Sequence, residues 1–389
     1  MNVQTTKQPR LESVDALRGF AVMAILLLHN IEHFIFPLYP ENQPTWLADI
    51  DKATLDLGFA LFGGKAYAIF SLLFGFTFYI QSANSERNGV DFGPRFLWRI
   101  VLLFGFATLN AALFPGGDVL ILYAVVAIVL FFMRKQSNRV VLAVALFFLF
   151  QPWEWAQCLY AAFCPEYTAP NYSVGALYDE VARVGKEGSL WDFFLCNITT
   201  GQLATLAWSM SAGRVSQTAG LFLMGFYLGR KQLFLSTDEN RSKWITALIC
   251  SAIAYVPLYT IHSLLADGTT TSAKMAAVAF DMWHKLAFMV VMTSSFLLLY
   301  QRAGFANKVS ALRTYGRMSL TNYVSQSYIG AVIYFPFFLG LGAYLGHTLS
   351  VVMGGLIFLL QVKFCNWYLS NHKQGPLEGL WHKWTWIKK

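Results

Sequence analysis

Charge is what this sequence has little of. Only 13% of its 389 residues are Asp, Glu, Lys or Arg, against roughly 25% in a soluble domain. So little charge excludes an ordinary water-facing surface. Cysteine is scarce too. Cys158, Cys164, Cys196, Cys250 and Cys365 show no metal-ligand spacing, which excludes a disulfide framework or a Cys-based zinc module. A Cys164–Cys196 bridge stays open, because both lie in the one long polar segment. There is no Walker loop, no Rossmann glycine pattern after a strand, no HExxH and no GxSxG. Nor is there a low-complexity stretch. The net charge is +8, but aromatics do not interleave with a basic patch, so no nucleic-acid partner is expected.

What is there is apolar length. The chain is 56% hydrophobic with mean hydropathy +0.47, which predicts an all-α, polytopic integral membrane protein. Ten apolar segments can be drawn: 17–36, 55–81, 96–114, 118–133, 139–162, 216–235, 243–263, 275–301, 318–340 and 344–370. Alternate loops are basic. One set holds Lys7, Arg10 and Arg18, then Arg87, Arg95 and Arg99, then Arg134, Lys135 and Arg139. It continues with Arg230, Lys231, Arg241 and Lys243, then Arg302, Lys308, Arg313 and Arg317, and a tail with Lys373, Lys383, Lys388 and Lys389. The other loops are acidic or neutral. About ten spans with both termini in the cytoplasm produce this alternation. The first apolar stretch is too long for a signal-peptide core and lacks a small-x-small cleavage site, so it reads as a retained first helix. One membrane domain is expected over 1–389, with an extracytoplasmic polar segment at 163–214 between helices 1–162 and 215–389.

The organising stretch is Arg10 to Phe36. A membrane-length helix is expected from near Leu17, with His29, Asn30, Glu32 and His33 in its second half. His29 and His33 are four apart and Glu32 is three beyond His29, so the three share a face. Ionisable groups inside a membrane need a partner or a water-filled cavity, and so mark a site. His29 suits a general base or transient acyl carrier, and a carboxylate such as Glu32 suits orienting an imidazole. The bland alternative is histidines hydrogen-bonded to neighbouring helices.

Arg18, at the helix start, suits a phosphate, or makes an interfacial ion pair with Asp15 and holds no ligand. Lys65 lies well inside an apolar span and needs an anion or a cavity. Arg95 and Arg99 are four apart on one face. With Arg18 they make a basic socket for a nucleotide-bearing donor; taken alone they are membrane anchors. In the ninth segment Asn322 and Gln326 share a face, either as a substrate contact or as glue between helices. Asp281, His284 and Lys285 likewise line an acceptor entrance or mark an interface.

The pattern Arg10-x4-Asp15-x-Leu17-Arg18-Gly19 before an apolar helix resembles the opening of the transmembrane acyltransferase superfamily, with the lysosomal heparan acetyltransferase and bacterial sugar O-acyltransferases. In the O-acyltransferases an Arg, ten residues and a His mark the first span, and that His is regarded as catalytic; Arg18 and His29 have that spacing. The rest of the chain resembles the YeiB-like branch, which carries a C-terminal domain of unknown function (number 418). The matching stretches are FSLLFG (70–75), GGD with the following L-Y (116–123), GLFLMGFYLGR (220–230), GRMSLTNYVSQS (316–327) and GPLEGLW (375–381). That branch usually has Asn at the position of His29 and His at the position of Asn110.

The resemblance implies a multi-pass protein of the bacterial inner membrane, with acyltransferase-like helices at 1–162 and a YeiB-like region at 215–389. It implies an acyl-CoA donor, foremost acetyl-CoA, bound near Arg18, Lys65, Arg95 and Arg99. His29, Glu32 and His33 would be catalytic, and Asp118, Asn322, Gln326 and His284 would meet an envelope acceptor. No metal is expected. The other expected partners are membrane lipids, and a homodimer is compatible. A transporter or flippase using the same buried polar groups is the competing reading.

Overall fold

The first long helix, α1 (Glu12–Ile31), runs through the centre of the molecule. A computed structural model of the protein describes residues 11–41, 43–116 and 118–386. Lys7, Arg10, Lys388 and Lys389, counted above among the basic flanks, lie outside the described residues, as does Gly117 of the GGD stretch. α1 starts before the expected Leu17, because Glu12 and Asp15 in its first turn complement the helix dipole. It also ends before the expected Phe36. From Glu32 the chain winds into a turn that closes with Phe34 N–H donating to the His29 carbonyl, 2.8 Å, and Pro37 follows.

Every described element is helical. α2 (Thr45–Phe62) and α3 (Ala66–Arg87) are one apolar rod broken at Gly63-Gly64-Lys65, where Gly64 takes φ +75. α4 (Gly93–Ala111) has Pro94 in its first turn; α5 (Val119–Val126) is capped by the Asp118 carboxylate on Leu120 N–H. α6 (Ile128–Met133) continues α5, and α7 (Asn138–Leu149) bends by 49° into α8 (Pro152–Phe163) at Pro152.

The polar segment folds into α9 (Val174–Glu187), α10 (Leu190–Cys196), a π-helical stretch (Asn197–Gly201) and α11 (Gln202–Ser211). Ser189 and Asp192 form a capping box at the start of α10. Then come α12 (Arg214–Arg230) and the hairpin of α13 (Asp238–Ala266) and α14 (Thr271–Tyr300), capped by Thr237 and Thr270. The last part holds α15 (Ala303–Lys308), α16 (Ser310–Arg317), α17 (Ser319–Tyr334), α18 (His347–Asn371) and α19 (Pro376–Thr385).

Each expected apolar segment falls on a helix or a helix pair, but not all are long. Among the described residues, five helical stretches are long and apolar enough to cross a membrane, or six with the bent α7–α8 pair. The rest fall short for identifiable reasons. α4 carries two arginines, α12 and α17 have only 17 and 16 residues, and α5–α6 covers only Val119–Met133. α1 is buried against α3, α16, α17 and α18, and its alanines and Gly19 let those neighbours approach closely. All five cysteines are free, so Cys164 and Cys196 are not bridged.

Candidate functional site

Two cavities open from opposite ends of the helices around α1. The first holds about 260 Å³ and is lined by Arg18, Thr77, Arg99, Tyr323, Glu378 and Trp381, among others. Arg18 donates to Asp15, 3.2 Å, and to Thr77 Oγ1, 3.0 Å. Arg99 lies over the Trp381 ring, 4.1 Å from its centroid, and donates to Thr385 Oγ1, 3.1 Å. Both partners of Arg99 sit on α19, which closes one side. α19 is anchored by Glu378, which accepts from Leu320 N–H (2.7 Å), Thr321 N–H (3.0 Å) and Thr321 Oγ1 (2.5 Å) at the start of α17. A carboxylate is favoured there by the free N–H groups and the helix dipole. Burial still pushes the Glu378 carboxyl above its usual range.

The second cavity holds about 350 Å³. Its lining includes His29, Glu32, His33, Tyr67, Tyr178 and Arg214. The early end of α1 assembles this group. His29 occupies the last turn and Glu32 and His33 the bend beyond it, so all three point to one space. His33 Nε2 lies 3.6 Å from Glu32 Oε2, and the two imidazole rings stand edge to face, 5.4 Å apart. His29 is 7% exposed, packs on Phe114 at 4.6 Å, and has a buried Nδ1 with no hydrogen-bond partner. Arg214 lies over Tyr67 at 4.2 Å and Trp208 at 4.5 Å. Tyr178 reaches in from α9, outside the long helices, where burial pushes its phenol up.

The wall between the cavities is α5 with Tyr323. Val119 and Leu122 face the second cavity, whereas Leu120 and Tyr123 face the first. Tyr323, on the first, has its ring 5.7 Å from His29, on the second. A polar thread runs through the wall. Tyr123 OH donates to the Tyr67 carbonyl, 2.9 Å, and lies 2.6 Å from Ser71 Oγ. Tyr67 OH donates to Gln217, whose amide donates to the Met282 carbonyl, 3.0 Å. Asp118 lies behind the wall. It is 2% exposed and accepts from Leu120 N–H, 2.9 Å, and Tyr323 OH, 3.2 Å; its Oδ2 and both side-chain atoms of Asn110 are buried without partners.

The structure therefore brings Arg18 together with Arg99, and His29 with Glu32 and His33. It separates the other expected residues. Lys65 is not in the arginine-lined cavity: its Nζ donates to the Phe59 (3.1 Å) and Ala60 (2.8 Å) carbonyls in the last turn of α2, so helix-end dipoles meet its charge. Arg95 lies over Trp386, 4.0 Å, on the flank of α19 outside that cavity. Asn322 donates to the Tyr315 carbonyl, 2.9 Å, and pairs with Cys365, tying α16, α17 and α18 together as helix glue. Gln326 is fully buried and lines neither cavity. His284 packs between α13 and α14 and lines neither cavity. Sequence reasoning missed Arg214, Tyr178 and Trp381. Arg214 carries the signal that singled out Arg18, a cation heading an apolar helix, and Trp381 lies in the GPLEGLW stretch.

Residues 228–388 match the family model described as "Protein of unknown function (DUF418)". The chain is similar along its length to YxaH of Bacillus subtilis (strain 168), an uncharacterized protein, with 25% identity over 409 residues covering 98% of this chain and 96% of that one. It is similar to an uncharacterized 39.9 kDa protein of Bacillus acidopullulyticus at 25% identity, covering 98% and 95%. It is similar to YeiB of Escherichia coli (strain K12), also uncharacterized, at 24% identity, covering 96% and 95%. No solved structure matches the chain.

Proposed function

This chain belongs to the YeiB-like DUF418 family, and we propose that it is an integral-membrane acyltransferase of the bacterial inner membrane. It moves a short acyl group, foremost acetyl, from cytoplasmic acyl-CoA to an extracytoplasmic acceptor. In this reading the chain crosses ten times with both termini in the cytoplasm, the short helices completing the set begun by the long ones. The arginine-lined cavity then faces the cytoplasm and the histidine-lined one faces out.

The observation that carries the proposal is the meeting of the two cavities at one thin wall, with Arg18 and Arg99 on one side and His29 on the other. A donor must keep its phosphates in water and deliver only an acyl arm. Arg18 and Arg99 hold those phosphates by charge-assisted hydrogen bonds. His29 takes the proton of the acceptor hydroxyl or amine, and the freed lone pair attacks the thioester carbonyl carbon. The C–S bond breaks, and the CoA thiolate leaves and recovers the proton from the imidazolium. In a two-step variant His29 itself carries the acyl group. Tyr323 must swing aside for either route.

Calorimetric titration of the purified protein with acetyl-CoA tests this. Saturable binding is expected, weakened at least about tenfold in Arg18→Ala and Arg99→Ala, as loss of one charged contact implies, and kept in His29→Ala. A folded protein that binds no acyl-CoA refutes the proposal. One observation favours transport as a second reading: the α2–α3 rod is broken at Gly63–Lys65 beside the outer cavity, as helices are at transporter sites. Substrate-dependent uptake into proteoliposomes without acyl-CoA would select it.

A further inference from the structure

α13 and α14 form an antiparallel hairpin with a short connection, and α13, on the outer side of α14, packs chiefly on α14. The most apolar window of α13 has no buried residue, so little else holds it to the molecule. Its inward row is Tyr255, Tyr259 and His262. Tyr255 meets Phe288 at 5.2 Å, Tyr259 meets His284 at 5.4 Å, and His262 meets His284 at 5.0 Å, ring to ring. At the end of this row one donor atom each from His262, Asp281 and His284 lies within 4.8 Å of the others.

We infer that His262, Asp281 and His284 form a three-ligand site for a divalent transition-metal cation, zinc foremost, that pins α13 to α14. Two imidazoles and one carboxylate are a usual zinc donor set, leaving a fourth position for water. The distances fit. Zinc–nitrogen bonds of about 2.0–2.1 Å in a tetrahedron put neighbouring ligand atoms about 3.4 Å apart. Asp281 Oδ1 lies 3.1 Å from His284 Nε2 and 3.8 Å from His262 Nε2, on either side of that value. Asp281 and His284 are one turn apart on α14, and the third ligand comes from the facing helix, as in metal sites of helical bundles.

Ion pairing alone does not account for the cluster. Lys285 Nζ already meets the charge of Asp281, 2.6 Å from Oδ2, yet two imidazoles converge on the other oxygen. Lys285 thus orients the carboxylate as outer partners of metal ligands do. Both histidines also have a buried Nδ1 with no hydrogen-bond partner, so the Nε2 contacts to Asp281 are what aim the two rings at one point.

The test uses full-length, tag-free protein in detergent, stripped with chelator, exposed to zinc chloride and passed through gel filtration. Elemental analysis should find about one zinc per chain, falling to background in His262→Ala and in His284→Ala. It should persist in His372→Ala, which alters an exposed histidine outside the cluster. His262 is half-exposed, so His262→Ala should elute as folded protein even where His284→Ala does not. Retention of zinc by folded His262→Ala, or no zinc on the wild-type chain, overturns the inference. Neither result bears on acyl-CoA binding.

Discussion

Replacing Gly19 by alanine is the sharpest probe of how α1 is held. A methyl there would overlap the Leu312 carbonyl oxygen, lie 2.9 Å from its carbon and stand 3.1 Å from Gly316 N. These are backbone atoms of α16, which cannot rotate away. Carbon atoms pack at about 3.5–4.0 Å, so the α1–α16 crossing must open by about 1 Å. A gap of that size forfeits a quarter to a half of each contact across it. Overpacking of this kind costs about 1–3 kcal/mol, and the rigid partner puts Gly19→Ala near the top. Alanine returns about 0.8–1 kcal/mol as the better helix former, so the net loss is about 2 kcal/mol.

Gly316 faces Gly19 from the other side: a methyl there would lie 2.6 Å from Gly19 N. Once one alanine has opened the crossing, the second costs less, so the pair should be sub-additive by about 1 kcal/mol. Gly105 on α4 has open space beside it, and Gly105→Ala should stabilise by about 0.5–1 kcal/mol. The assay is reversible unfolding in mixed micelles, read by tryptophan fluorescence. Gly19→Ala behaving like Gly105→Ala, or strict additivity of the Gly19 and Gly316 variants, would refute the packing argument. Arg18 adjoins Gly19, so the opened crossing should also weaken acetyl-CoA binding.

Three further outcomes follow from named contacts. Arg95→Ala should leave acetyl-CoA binding within about twofold of wild type, while Arg99→Ala weakens it, because only Arg99 lines the arginine cavity; equal losses in calorimetry would contradict that assignment. Lys65→Met should destabilise the fold by about 1–3 kcal/mol by removing the ammonium that bonds the Phe59 and Ala60 carbonyls, of which Phe59 keeps the Gly63 N–H; an unchanged unfolding midpoint would show that water replaces it. Burial holds the docked Glu378 carboxyl above its ordinary range, so the docked state binds the proton more tightly than the undocked one. Docking of α19 should be strongest below about pH 4.3 and weaken as pH rises to the raised value. Hydrogen exchange across α19 reads this slope, which should vanish in Glu378→Gln; an identical slope in that variant would assign it elsewhere.

The helical class and the apolar segments were legible because composition and hydropathy report burial directly. The assembly of His29, Glu32 and His33 was legible too, but for a partly wrong reason. Helical periodicity put them on one face, whereas α1 ends at Ile31 and the bend delivers Glu32 and His33. Lys65 misled because a buried cation asks for negative charge, and sequence does not show that a helix breaking at Gly63-Gly64 supplies it as carbonyls. Asn322 misled because glue and ligand contact use the same side chains. Arg214 was missed because its partners, Tyr67 and Trp208, lie far from it or outside its helix in sequence.

Alongside the long α1 and the α2–α3 rod, the cavities are bordered by short helices, and this sets how far an acyl group must travel. α12 and α17, with 17 and 16 residues, rise about 26 and 24 Å. α5–α6 rises only about 22 Å, against a hydrocarbon layer of about 30 Å. On the periphery α13 and α14 have 29 and 30 residues, about 44 and 45 Å. Cavities thus replace bilayer at the centre, and the remaining barrier is one helix wall, about 10 Å with its side chains. Leu120 and Leu122 lie about 160° apart around that wall and line opposite cavities. Leu122→Trp should fill the space beside His29 and stop transfer while leaving acetyl-CoA binding intact. Leu120→Trp should block acetyl-CoA binding itself. With both variants eluting as folded protein, the reverse pattern, or loss of donor binding in both, would mean that α5 does not separate a donor side from an acceptor side.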